Sequence, residues 1–265
     1  MLNRMLAIIT NDAMALPCAA APVAEAFGWL RLNEASVVSL AHYSQGTPVL
    51  ALYRPPVPDI HGTVLPKLHS RLVLACTTAH LQGAAQGLSP YRYRNWTMLL
   101  GGNCDDAPLV AKEQLLAIPE YLDKNRRSDL FGEVLFYQFL AFLHSNGGLA
   151  KDESDPRLVR EALRSALSLV EALKPSGRDV SLLVTDGHAI HAASLDRPVY
   201  MRRVEGLKEC MACGGDLDGN GKEHPYLKSV SFCDTDALPS PEWDTVGPRK
   251  IVSVDKRIQT ETFAL

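Results

Sequence analysis

Hydrophobic periodicity changes twice along this chain, and that double change restricts its architecture more than any other feature. The first hundred residues hold short apolar runs bounded by turn residues. Met5 to Thr10 reads as a buried strand closed by Asn11-Asp12. Ser36 to Leu40 and Thr47 to Tyr53 read as two strands around Ser44-Gln45-Gly46. Pro55-Pro56-Val57-Pro58 must be loop or extended chain, because proline donates nothing to a ladder. Arg71 to Thr77 and Trp96 to Leu100 are further strands, the second ending at Gly101-Gly102.

The period then becomes helical. Leu130 to His144 is apolar on most sides, which suits a buried helix. Pro156 to Leu173 repeats apolar residues at three and four, through Leu158, Ala162, Ala166, Leu169, Val170 and Leu173. Asp155 is its expected cap, with Pro156 at the first helical position. Strands return at Val180 to Thr185, Ala189 to Ser194, Val199 to Arg202, Leu227 to Phe232 and Lys250 to Val254, with Asp186-Gly187 as a hairpin signal. Strands, two helices and strands again predict an α+β fold with helices layered outside sheets, in one domain over 1–265.

Composition narrows the function class. A net charge of −3 with no run of Lys or Arg gives no footprint for nucleic acid or an anionic membrane. No apolar stretch spans a bilayer. The Ala-rich segment 13–26 is broken by Pro17 and Pro22 and lacks a signal-peptide pattern, so the chain is expected to be cytoplasmic. Six Cys are too sparse for a disulfide framework and fit a reducing compartment.

Several segments, in a consistent order, resemble class II glutamine amidotransferases of the compact bacterial single-domain type. They are Arg4-Met5-Leu6-Ala7-Ile8-Ile9, Thr47 to Arg54, Ser70 to Ala75, Gly83 with Ser89 to Thr97, Leu182 to Gly187 with Arg197 to Tyr200, Asp234 to Trp243, and Ile251 to Asp255. The resemblance implies the four-layer αββα sandwich of N-terminal-nucleophile hydrolases. It also implies a Cys directly after the initiator Met, whose thiol attacks a glutamine amide.

Four positions depart from that family pattern. Leu2 and Asn3 stand where the nucleophile is expected, and removal of Met1 is not expected beside bulky Leu2. Thr78 falls where an Arg would pair with the substrate α-carboxylate. Gly101 replaces the oxyanion-hole Asn, Gly102 keeps the family Gly, and only a slipped loop would bring Asn103 near. Phe131 occupies the place of the aspartate that binds the substrate amine, with Asp129 nearby. The expectation is a fold kept and a reaction discarded: a non-catalytic binding or regulatory partner. It would dock another protein or a copy of itself, with a small-molecule ligand as a further option. The rival expectation is an active amidase with a relocated nucleophile at Cys18, Cys76 or Cys104.

Cys210-Met211-Ala212-Cys213 is half of a zinc-knuckle pattern, with His224 and Cys233 as candidate further ligands for a structural zinc; reduced loop thiols are the plain alternative. Asp216 to Gly221 copies the first half of a calcium loop, but its twelfth position is Leu227 rather than Glu, so an ordinary turn is preferred. His188 and His191 read as surface or satisfied core residues. Tyr91, Tyr93 and Trp96, with Arg92 and Arg94, read as core and rim of one strand rather than a stacking surface.

Overall fold

The computed structural model describes residues 2–30, 37–78, 89–103, 118–150, 153–173, 179–210, 212–213, 222–235 and 239–265. The calcium-loop segment 216–221 and Cys104 lie outside them.

Two antiparallel sheets form the centre. The first is built from β1 (Leu2–Thr10), β2 (Val37–Ser44), β3 (Thr47–Tyr53), β4 (Leu72–Thr78), β9 (Val199–Cys210), β10 (Lys222–Cys233) and β11 (Asp244–Val246). Its spatial order is β3-β2-β4-β1-β10-β9-β11. The second runs β5-β6-β7-β8-β12-β13. Its strands are β5 (Tyr91–Tyr93), β6 (Trp96–Asn103), β7 (Val180–Thr185), β8 (Ile190–Ser194), β12 (Lys250–Val254) and β13 (Thr260–Ala264). The start of β1 joins the two sheets, with Leu2 opposite Asn103 and Asn3 opposite Gly102.

Alternation along each strand decides what faces what. Met5, Ala7 and Ile9 point into the space between the sheets, where they meet Leu99, Leu183, Ala192, Val230, Phe232 and Val252. Leu6 and Ile8 face outward and are covered by two short helices, α1 (Leu16–Ala20) and α2 (Ala24–Trp29), and by Ile60 and Leu65. Two helices cover the outer face of the second sheet, α4 (Phe131–Ser145) and α5 (Pro156–Leu173). Just before them, a single helical turn forms α3 (Glu120–Asp123). The result is the four-layer αββα arrangement that the family resemblance implies.

Local signals explain most element boundaries. Gln45 and Gly46 both take positive φ, 51° and 78°, giving the two-residue turn between β2 and β3. Asp155 caps α5, its carboxylate accepting from the Arg157 N–H at 2.9 Å. The buried stripe of α5 is Val159, Ala162, Leu163, Ala166, Leu167 and Val170. It is rotated slightly from the expected one, so Leu158 and Leu169 flank it. Trp96 is fully buried against Phe139, with ring centroids 5.5 Å apart, and Tyr91 stacks on Phe136. The aromatic segment is therefore core and rim. His191 is also a core residue, with Nδ1 2.8 Å from Ser253 Oγ. No helix among the described residues is long and apolar enough to cross a membrane.

Candidate functional site

The first residues of β1 lie beside Gly101 and Gly102 of β6. This is where the resemblance puts a nucleophile next to an oxyanion hole. β6 was expected to stop at the glycine pair; instead it runs through them to Asn103, held by pairing to β1 on one side and β7 on the other.

Gly101 shares the face of Leu99, which points between the sheets. Within that otherwise apolar space, the spot beside Gly101 holds a charged side chain. Asp234, just past β10, is fully buried. Its carboxylate accepts from the Met5 N–H at 2.7 Å, the Ser181 hydroxyl at 3.0 Å and Arg197 Nε at 2.8 Å. Arg197 is itself only 3% exposed and reaches Asp179 at 3.3 Å with its other arm. Burial pushes the Asp234 carboxyl up, while Arg197, the Met5 N–H and Ser181 pull it back.

A Cβ placed on Gly101 would stand 1.9 Å from Asp234 Oδ2 and 2.5 Å from Ser181 Oγ. No side chain fits there, and least of all the amide of an oxyanion-hole Asn. Gly102 is held at φ 99°, and a Cβ on it would come 1.8 Å from the Asp179 carbonyl oxygen. The second position is thus restricted to glycine on two counts.

The remaining departures fall around this point. Thr78 is the last residue of β4, opposite Val37. Phe131 opens α4, half-buried, with the Tyr91 hydroxyl packed over Gly132. Asp129, the neighbouring carboxylate, is exposed and paired with Arg126. The nearby buried carboxylate is Glu133, which accepts from the Arg127 N–H at 3.0 Å and the Ser128 hydroxyl at 2.6 Å and so closes the start of α4.

Among the described residues, burial holds Cys18, Cys76 and Cys233 as thiols. Cys76 is fully buried, its thiol pushed up to about 12 by burial while donating to the Ser89 carbonyl. Cys233 is buried and its thiol is likewise pushed up by burial, with Asp234 adding to the effect. Cys18 is pushed up to about 12 by burial and by the neighbouring Cys210 and Cys213.

That last grouping corrects the expected metal set. Cys210, Cys213 and His224 do converge, but their fourth neighbour is Cys18 of α1, not Cys233. His224 and Cys233 are nine positions apart on the extended strand β10, roughly 30 Å at the usual rise, and cannot share one ion. Cys18 leaves no local trace of this role in the sequence, because its partners lie far along the chain. Arg197 reads in the sequence as a turn residue and Asp234 as the start of a closing strand; a charged residue beside each strand end is the hint the sequence offers.

A cleft of about 390 Å³ lined by Phe27, Leu30, Val38, Val57, Ile60 and His61 opens beside α2, away from Gly101.

No protein-family model matches the sequence, and no curated protein matches it. Solved structures do. A glutamine aminotransferase class-II domain protein from Silicibacter pomeroyi superposes with a TM-score of 0.58 at 16% identity over 99% of both chains. A predicted glutamine amidotransferase from Pseudomonas aeruginosa gives 0.51 at 14% identity over the whole of both chains. The glutamine phosphoribosylpyrophosphate amidotransferase of B. subtilis, complexed with ADP and GMP, gives 0.51 at 12% identity; the match covers 98% of this chain and 49% of that one. At such identities the likeness speaks for the backbone alone, and in its backbone this chain has the N-terminal-nucleophile fold of class II glutamine amidotransferase domains.

Proposed function

We propose that this protein is a non-catalytic binding or regulatory protein on a glutamine amidotransferase-like scaffold. The observation that carries this reading is the contact at Gly101. Where the family resemblance calls for an amide that stabilises an oxyanion, the backbone is pressed against Asp234, itself held by Arg197, Ser181 and the Met5 N–H. An anionic carboxylate at that point repels a developing oxyanion instead of stabilising it. The expected nucleophile positions, Leu2 and Asn3, supply neither thiol nor hydroxyl. Cys76 and Cys18 are buried thiols of raised pKa, the opposite of an activated nucleophile. The protein acts by docking a protein partner or a further copy of itself, or by holding a small ligand. A metal at the Cys18 cluster would sit on the outer face of the first sheet and be structural in role.

The test is a sensitive glutaminase assay combined with an electrophilic glutamine analogue and peptide mapping. The expected result is turnover no higher than a no-enzyme control and no labelled cysteine. Robust turnover, or stoichiometric label on Cys104, overturns the reading in favour of a relocated nucleophile.

A further inference from the structure

Three thiols and an imidazole meet where the outer helical layer touches the far end of the β9–β10 hairpin. Cys18 comes from α1, Cys210 from the last position of β9, Cys213 from the turn that follows, and His224 from β10. Their four ligand atoms all lie within 4.8 Å of one another. Cys213 Sγ is 3.1 Å from His224 Nε2.

The hairpin is shaped for this meeting. Its ladder shifts register twice, between Lys222 and His224 and between His224 and Lys228. Gly206 takes φ 76° beside Pro225, a residue that cannot donate to the ladder. Such irregularities bend a two-stranded ribbon. The bend brings the ribbon's end against α1, and Cys210 and Cys18 become part of the apolar cluster on that face.

Hydrophobic packing does not account for all four residues. A buried free Cys behaves as a small apolar side chain, which would suffice for Cys18 and Cys210. Cys213 is exposed and His224 only half-buried, yet both turn toward the same point. A tetrahedral zinc site has edges of roughly 3.5–3.8 Å, from Zn–S of about 2.3 Å and Zn–N of about 2.0 Å. With every separation within 4.8 Å, the cluster needs a contraction of at most about 1 Å along any edge to reach that geometry.

We propose that Cys18, Cys210, Cys213 and His224 form a structural zinc site that fastens the end of the β9–β10 hairpin to α1. An all-sulfur and nitrogen donor set with four protein ligands selects zinc and leaves no open position for substrate. Binding displaces the three thiol protons and leaves the imidazole neutral, so loading weakens with acid. Cys18 and Cys210 lie far apart in the chain, which makes the ion a long-range clasp. The proposal does not depend on whether the chain catalyses anything.

The experiment is metal analysis of the full-length protein purified without chelator, with Cys18→Ser, Cys213→Ser and Cys233→Ser variants beside it. Wild type and Cys233→Ser are expected to carry about one zinc per chain, and the other two at least about five-fold less. Cobalt loaded into the wild type is expected to give thiolate charge-transfer bands and the intense visible bands of a tetrahedral ion. Cobalt spectra need only the wild type, so they decide the matter should Cys18→Ser fail to fold. Zinc-free wild type whose three thiols react freely, or form a disulfide, overturns the proposal. So does loss of zinc in Cys233→Ser with retention in Cys18→Ser.

Discussion

Arg197 and Asp234 form an ion pair at 2.8 Å inside the space between the two sheets, with both side chains withdrawn from water. A buried pair of this kind gains little over apolar packing, because desolvation offsets most of the attraction. Its importance lies in what happens when one partner is removed.

Arg197→Met should lower unfolding free energy by about 3–5 kcal/mol, since Asp234 is left as an uncompensated buried charge. The double variant Arg197→Met/Asp234→Asn, which removes the charge but keeps an acceptor for the Met5 N–H, should recover part of that loss. Urea unfolding of the two variants checks this. A double variant no more stable than the single would show that the pair is not the seat of the effect.

Gly101→Asn inserts the side chain that the family resemblance calls for. It should cost at least about 2 kcal/mol, because the Cβ meets a carboxylate held by three donors and cannot push it aside cheaply. It should also fail to create glutaminase activity. Gly102→Ala should be comparably harmful, from its positive φ and the Asp179 carbonyl. Thermal melts and activity assays of the purified variants give the readout.

His191 sets a pH dependence. Burial lowers its pKa to about 4, Arg160 adding to the effect and Asp186 opposing it. In the unfolded chain an ordinary value of about 6.5 applies. The unfolded state therefore binds the proton first, and stability falls as pH drops through 6.5 toward 4. The part due to His191 should amount to about 2 kcal/mol between pH 7 and pH 5. Denaturant titrations at the two pH values measure it, and His191→Asn should flatten the difference by that amount.

Cys76 should be inert in the native protein. Its burial and its bond to the Ser89 carbonyl predict no alkylation by iodoacetamide at neutral pH over hours, with full reaction after unfolding. Mass mapping of the Cys76 peptide decides the point. Rapid native labelling would reopen the case for a relocated thiol.

How much of this was legible in the sequence depended on the range of the interaction. The limits of β3, β7, β12 and α5 follow from local patterns: turn residues at Gln45-Gly46, the Asp155 cap, and a repeat of apolar positions. Strands β9 and β10 extend well beyond their apolar runs, because ladder pairing carries polar residues such as Glu205 and Lys222 along with it. The ends of such strands are set by their partners, which no local pattern encodes. The helices α1 and α2 escaped notice because an Ala-rich segment broken by prolines shows no clean period.

The amino-acid sequence by itself determined the alternation of strands and helices, the placing of helices outside sheets, and the departure of Leu2, Asn3, Thr78, Gly101 and Phe131 from a familiar pattern. Only the tertiary structure decided why Gly101 must be a glycine and which thiols meet. The first answer requires Asp234 to cross from the end of β10 to the face of β6. The second requires a bent hairpin to reach α1. Both are distances between residues far apart in the chain, and they come into being when the sheets take their register and the hairpin its curve.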